Sequence, residues 1–403
     1  MTQSTHKHQV LIVGGGTAGI SVASRLLMLL DQPDIAIIEP AEWHYYQPMW
    51  TLSGGGVVPK ESTRRSMSSI MPNGVKWIRD AVETFDPEQN QLTTAQGNTL
   101  SYDVLIVCPG IQIDWDKIPG LREAIGNGKV CSNYDYNTVD STWDAVRQFP
   151  KGGTAIFTMP TAPVKCPGAP QKALYLSEDY LRKNGTREGS RVIFATAKPN
   201  LFGIEKYRLG LERVAQRKNI ECAYEHELVE VRGAQDEAVF KNLKTEEEVV
   251  MKYDLLHAVP PMSAPDFIKK SPLADSSPFG WVDVDPFTLR HRKFGNVFAL
   301  GDASSAPTSK TGAAIRKQYP VVASNVAAVL KKRMVMEHYN GYASCPLVTD
   351  YGKVLMAEFD YDGIPQETFG AVVDQGRELS SMWMVKRWVL PWLYWNIMLT
   401  GKG

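Results

Sequence analysis

Short, uninterrupted apolar runs alternate along this chain with longer stretches whose apolar residues recur at helical spacing. Val10-Leu11-Ile12-Val13 is the first such run and predicts a strand buried on both faces of a parallel sheet. A glycine-rich stretch, Gly14 to Gly19, separates it from Ile20 to Leu30, which predicts a helix with one apolar face. Asp34 to Ile38 predicts a second strand, closed by Glu39, and Tyr102 to Val107 a third, closed by Cys108-Pro109-Gly110. The middle of the chain repeats the plan, with strands at Thr154 to Phe157 and Arg191 to Phe194 flanking a helix over Gln171 to Lys183. Tyr253 to Pro260 is similar to Tyr102 to Pro109, 151 residues earlier. Asn296 to Leu300 predicts a strand that runs into Gly301-Asp302, and a helix is expected over Gly312 to Arg333. The fold class is therefore α/β, with two Rossmann-like, doubly wound domains, the second inserted in the first. The expected boundaries are 1–150 and 275–335 for the first domain and 151–274 for the insert, with 336–403 as a C-terminal, membrane-facing region.

Composition narrows the classes. In 403 residues, 44 basic and 44 acidic side chains give zero net charge, without the basic excess of a general nucleic-acid binder. At 43% hydrophobic and 22% charged, the chain is foldable and long enough for two or three domains. Five scattered cysteines suit neither a disulfide scaffold nor a zinc ribbon. The seven histidines form no metal pattern: His6 and His8 read as a tail, the other five as surface or packing residues, and no metal site is expected. The segment before Val10 is short and polar, unlike a secretory signal. The uncharged run Trp388 to Gly401 is shorter than the about 20 residues of a spanning helix.

Gly14, Gly16 and Gly19 form G-x-G-x-x-G, with Thr17 and Ala18 between the last two. The first glycine allows a tight turn, the second lets backbone approach a pyrophosphate, and the third lets helix and strand pack closely. The helix N-terminus offers free N–H groups to the phosphates. The motif follows a strand, opens a helix and has Glu39 as a ribose-binding carboxylate, which is the context a dinucleotide site demands. Gly301-Asp302 turns the choice toward FAD, because a carboxylate there sits by the ribityl chain and the next helix points its dipole at the flavin. Asn296 to Asp302 and Tyr102 to Gly110 resemble two fingerprints of the two-dinucleotide-binding-domain flavoproteins. The resemblance implies an adenine contact at Val82 and a place for Gly110 in the cradle.

The second domain lacks a nicotinamide cradle. Its first strand runs into Pro160 to Pro170, where four prolines remove donors and fix φ, and its second strand ends at Ala195 to Lys198 without an acid. Cys166 stands in that turn before a predicted helix, where the helix dipole and Lys165 favour a thiolate. Cys345 lies in a second proline-flanked loop; Cys222 and Cys108 read as packing residues, and Cys131 is left open. Val164 to Lys172, Gly341 to Val348 and Trp43 to Pro48, with the FAD fingerprints, resemble the sulfide:quinone oxidoreductases over essentially the whole chain.

That resemblance implies an FAD enzyme that takes electrons from hydrogen sulfide through a Cys166–Cys345 disulfide or sulfur-bridged pair and passes them to membrane quinone. Cys166 is the implied persulfide carrier, Cys345 the partner that attacks the flavin, and a thiol, sulfite or second sulfide the sulfur acceptor. Gln47 is an implied flavin contact, while Lys310-Thr311-Gly312 and Lys386 are expected to steady charge on the reduced flavin, although Lys386 also reads as a surface lysine. The only basic residue before Val10 is Lys7, so a mitochondrial presequence is not expected; a monotopic protein on the cytoplasmic face of a bacterial inner membrane is. Trp383, Trp388, Trp392 and Trp395 cluster near the end, and the last three share a face if the segment is helical; Pro391 favours two short helices over one. With Lys386, Arg387 and Lys402 they suit an interfacial segment around the quinone entrance, whose removal is expected to impair quinone reduction more than FAD binding. A core or dimer helix is the alternative, and a homo-oligomer is left open. A type II NADH:quinone reductase, a periplasmic sulfide dehydrogenase paired with a cytochrome, and a non-catalytic FAD scaffold are the rival readings.

Overall fold

The computed structural model describes residues 5–403; the first four residues of the polar segment before Val10 lie outside that range. The larger sheet has seven strands. Its parallel core is Val75–Ile78, Ile35–Ile38, Thr5–Val13 and Thr99–Val107, with Val297–Ala299 pairing the last half of Thr99–Val107. The other half of that long strand pairs antiparallel with Gln91–Thr94, which in turn pairs Val82–Asp86. Register aligns the strand ends. Val13 is level with Ile38 and Val107, and Val107 with Ala299. The carboxyl ends of four strands therefore stop in line, and the residues after them converge at the edge where open α/β sheets bind ligands. Every residue of Ile35–Ile38 is buried, as a strand covered on both faces requires.

The helices that cover this sheet start at the same edge. Thr17–Leu29 begins directly after the glycine loop, and Gly312–Leu330 packs beside it. The second domain carries a five-stranded parallel sheet, ordered Val130–Cys131, Leu255–His257, Thr154–Met159, Arg191–Thr196, Glu221–Tyr224. The two strands of the expected repeat, Thr99–Val107 and Leu255–His257, each lie inside their own sheet, with Tyr253 two residues before the second. The boundary at 150 is too late, however. Val130–Cys131 already belongs to the second sheet, and the two crossings between domains pair as Gln112–Ile113 with Met262–Ser263. The reason is local: a two-residue buried strand is too short to show periodicity.

Three other expectations change. His6 and His8 are no tail but part of the first strand, where buried His8 meets Asp34 at 3.0 Å. Cys345 lies in a strand, Ala343–Asp350, paired in a hairpin with Lys353–Phe359, and the two-stranded ribbon tolerates Pro346. The C-terminal segment is one continuous helical run from Ser380 to Met398 rather than two helices, alternating α-turns with wider π-turns at Val385–Val389 and Tyr394–Met398. Pro391, with no N–H to give, sits just after the pattern switches back from π to α. No helix among the described residues is long and apolar enough to cross a membrane.

The glycine loop shows three separable constraints. A side chain at Gly19 would put its Cβ 1.9 Å from the Gly14 carbonyl oxygen, and Gly14 itself has φ +102 with Cys108 backbone at its back. A Cβ at Gly16 would meet nothing within 4 Å. Gly19→Ala should therefore destabilise the first domain by about 3 kcal/mol through overpacking. Gly16→Ala should fold normally and lose affinity for a dinucleotide. Thermal melts with and without added FAD check both; a Gly16→Ala protein that melts early without ligand would contradict the assignment.

Candidate active site

At the in-register strand ends the first domain builds a cradle. Glu39 holds the glycine loop from below, its carboxylate accepting the Gly15 N–H at 2.8 Å and the Ala41 N–H at 2.7 Å. Burial raises its pKa, against those two hydrogen bonds. Ala18, in the first turn of the loop helix, lies where a Cβ on Gly301 would meet it at 3.6 Å, so the two fingerprints adjoin. Gly110 is in left-handed backbone at φ +86 with open space before it. Asp302 is pushed up by burial, and Lys310 and Lys165 offset part of that. Thr311 caps the helix Gly312–Leu330, its side chain accepting the Ala314 N–H at 3.1 Å, so that the helix N-terminus faces the same cleft. A turn with no room behind Gly14 and Gly19, an open approach at Gly16 and Gly110, and carboxylates at Glu39 and Asp302 fit a dinucleotide with a flavin at the Asp302 end. Val82 starts the strand after the Ile78–Asp80 turn, whose Ile78 carbonyl accepts the Glu39 N–H at 3.0 Å, and Gln47 is exposed next to Pro48, which a Cβ on Gly312 would meet at 3.8 Å. Neither hydrogen-bonds the loop glycines.

The cysteine pair sits beside this cleft. Cys166 donates its backbone N–H to the Lys310 carbonyl at 2.7 Å and accepts the Ala169 N–H at 2.8 Å. These bonds hold it at φ +50, a conformation rare outside glycine. Cys345 reaches it from the hairpin, so close to Gly168 that a Cβ there would lie 2.3 Å from the Cys345 sulfur. Both are free thiols, and their side chains interact. The Cys345 side chain holds Cys166 well below the usual thiol range against the effect of burial, with Lys172 and Lys386 adding to it. Cys345 is held well above that range by the same contact and by burial.

Lys172 was missed in the sequence. Its Nζ lies 3.1 Å from the Cys166 sulfur and its side chain is 1% exposed. Burial works to lower its pKa, but the two sulfurs outweigh this and raise it. One signal was available: a lysine in the first turn of the buried helix Ala169–Lys183 opposes the helix dipole and needs a partner. Lys165, favoured instead, points away from Cys166 over the Trp50 ring and is pushed down to about 8 by burial. Lys386 is no surface residue. It is buried, donates to the Pro48 carbonyl at 2.8 Å, and is pushed down to about 7 by burial and by Lys172. The Lys310 ammonium is committed to the Asp302 and Ser304 carbonyls, at 2.7 and 3.1 Å, and to the Trp281 face, so it braces the loop. Cys131 is buried away from the pair, its thiol directed at the Leu256 carbonyl and pushed up to about 12 by burial. Cys108 packs under the glycine loop and Cys222 is half-buried in an edge strand.

The turn that replaces a nicotinamide cradle is filled from within. Glu227 accepts the Thr161 N–H at 2.9 Å and its hydroxyl at 2.7 Å. A carboxylate thus holds the place after the strand Thr154–Met159 where a pyrophosphate would need donors, and it repels one. Lys198 follows the neighbouring strand, Arg191–Thr196, and donates to the Thr161 carbonyl at 2.7 Å.

A profile of the pyridine nucleotide-disulphide oxidoreductases matches residues 8–142. The chain is 46% identical over 395 residues to a mitochondrial sulfide:quinone oxidoreductase of Mus musculus, covering 98% of this chain and 87% of that one. It is 42% identical over 395 residues to a protein of the same name from Dictyostelium discoideum, covering 98% and 86%. The crystal structure of the sulfide:quinone oxidoreductase of Aquifex aeolicus shares the fold, with a TM-score of 0.82 at 18% identity over 98% of this chain and 92% of that one. Relatives named as mitochondrial give no support to the bacterial cytoplasmic face expected from the sequence. With its glycine cradle, its paired cysteines and its closed nicotinamide turn, the chain belongs to the FAD-dependent sulfide:quinone oxidoreductase family.

Proposed function

We propose that this chain oxidises hydrogen sulfide to sulfane sulfur on Cys166 and Cys345 and delivers the electron pair to a membrane quinone. The observation that carries the reading is the Cys166 sulfur, 3.1 Å from the buried Lys172 Nζ, beside Cys345 and anchored through its backbone to Lys310 at the mouth of the FAD cleft. Starting from the oxidised pair, hydrosulfide attacks one sulfur. The Cys–Cys bond breaks, a new sulfur–sulfur bond makes that cysteine a persulfide, and the other leaves as thiolate. FAD, when bound, accepts two electrons from the sulfur centre and passes them to quinone. A thiol, sulfite or second sulfide takes the sulfane sulfur away. Geometry supports a division of labour opposite to the one the resemblance implies. Cys166, with the lower pKa and the Lys310 contact, is the thiolate on the flavin side, and Cys345, deep in the hairpin, is the persulfide carrier.

Membrane docking is part of this proposal. Met384, Trp388 and Trp392 are exposed at four-residue spacing, with Val389 beside them, and each tryptophan is 57% exposed. Straight α-turns would carry such a row round the helix, whereas the interposed π-turns hold it in one stripe. Trp395 departs from the expected face: it packs against Tyr394, His44 and Arg65. Trp383 is buried. The stripe with Arg387 suits the headgroup region, where a lipid-dissolved quinone can reach the cleft.

Four measurements test the reading. Without oxygen, sulfide should bleach the bound flavin, NADH should not, and quinone should restore the colour. Cys166→Ser and Cys345→Ser should each keep FAD and lose sulfide bleaching by at least about a hundredfold, since serine cannot carry sulfane sulfur; wild-type rates in either would sink it. In the reduced protein, Lys172→Met removes the cation that favours the thiolate. The pH at which Cys166 becomes reactive to an alkylating agent should therefore rise by about one to three pH units; an unmoved profile would remove Lys172 from the mechanism. Replacing Trp388 and Trp392 together with serine should release the protein from liposomes while leaving sulfide bleaching intact, and sedimentation with the vesicles at the wild-type level would count against this docking face.

A further inference from the structure

Tyr394 lies in the C-terminal segment, yet its hydroxyl is built into the glycine loop. It is 2.8 Å from Thr17 Oγ1 and 2.5 Å from His44 Nε2. His44 Nδ1 lies 3.1 Å from the Gly15 carbonyl oxygen. Tyr394 and His44 are both buried, and the Tyr394 ring stacks on Tyr46 at 4.1 Å.

The direction of this chain of bonds is set by what each group can do. A carbonyl only accepts, so Nδ1 carries the proton, and burial holds the ring neutral by pushing its pKa down to about 4. Nε2 is then a bare acceptor, and the Tyr394 hydroxyl donates its hydrogen bond to it. The Tyr394 oxygen has only lone pairs left for Thr17, whose hydroxyl must donate to it. The Thr17 side chain is therefore a tether, and any phosphate contact at this position falls to its backbone N–H. Other bonds clasp the same segment to the two helices that flank the cradle: Ser24 donates to the Leu399 carbonyl at 2.7 Å, and Tyr319 to the Gly403 carbonyl at 2.5 Å.

We propose that Tyr394 is a positioning residue for FAD, fixing the Gly15 carbonyl and the first turn of the phosphate-binding helix, so that the C-terminal segment is part of the flavin cradle. This rests on the FAD reading of the loop. A wild-type protein that takes up no FAD would refute that reading, whereas variants at Tyr394 and Thr17 test only the tether.

FAD is stripped from the holoprotein and titrated back while the quenching of its fluorescence is followed. Tyr394→Phe keeps the stack on Tyr46 and leaves His44 and Thr17 without partners. Its Kd for FAD should rise about tenfold, and the rise in melting temperature that FAD gives the apoprotein should shrink. A hydroxyl with a structural role alone would lower both melting temperatures equally and leave Kd unchanged; that result overturns the proposal. Thr17→Val cuts the other end and carries the test if Tyr394→Phe does not fold. The double variant should be no worse than the worse single one, and additive losses would overturn the tether. Trp388→Ser, on the exposed face of the same segment, should bind FAD as wild type does. If it loses FAD as readily as Tyr394→Phe, any disturbance of the segment suffices and the assignment to Tyr394 fails.

Discussion

A half-buried cysteine sulfur whose surroundings favour its negative form is the constraint on which this site is built. Burial alone would push the Cys166 thiol up, as it does Cys108 and Cys131. The reverse shift needs donors and cations within bonding distance, and these must themselves be desolvated. Lys172 supplies the contact from the first turn of a helix whose dipole disfavours it, and it keeps its proton because the sulfurs are there. The compensation is mutual: remove either charge and the other is buried alone. Cys166 also reaches the first domain through Lys310 and the hairpin through Cys345. One charged contact therefore fixes how the inserted domain, the FAD loop and the C-terminal hairpin meet.

The inserted domain shows how a cofactor fold is turned to another chemistry without loss of its frame. Its parallel strands and crossover helices remain, including the turn after Thr154–Met159 where a dinucleotide would lie. In that turn prolines have removed donors, Glu227 has taken those that remain at Thr161, and the helix start now presents Cys166. A type II NADH:quinone reductase needs that turn free for its donor, which makes it the weaker reading here. The frame supplies rigidity, and the turn supplies a cysteine whose surroundings favour the thiolate.

Legibility in the chain divides along a physical line. Doubly buried strands and the glycine loop were legible because their constraints are local: a run of β-branched residues, or a Gly19 whose Cβ would strike Gly14. Glu39 and Asp302 were legible because they directly follow such strands. His44 and Tyr394 were not, because their partners lie far off in the chain and the two meet across 350 positions. Lys172 was missed although Cys166 is only six residues away, because their contact depends on the left-handed turn at Cys166, which no local pattern announces. Lys386 read equally as a surface lysine, since nothing in its neighbours told of Pro48 and Cys166. The short strand Val130–Cys131 escaped for the opposite reason: its signal is local but only two residues long.

The C-terminal segment joins two demands that the sequence suggested were separable. A segment that only anchored the protein could be removed with the flavin left in place. Here one helical run turns Lys386 and Tyr394 inward to the cysteines and the glycine loop, and Trp388 and Trp392 outward. A helix with its side chains is about 10–12 Å across. If lipid covers the outer stripe, the headgroup boundary lies roughly one such diameter from the residues that line the cradle. A quinone anchored in lipid by its tail then needs to project its ring only that far. Under the proposed function, losing the run removes Lys386 and the Tyr394 hub together with the apolar stripe, so flavin binding and quinone access are expected to fail together.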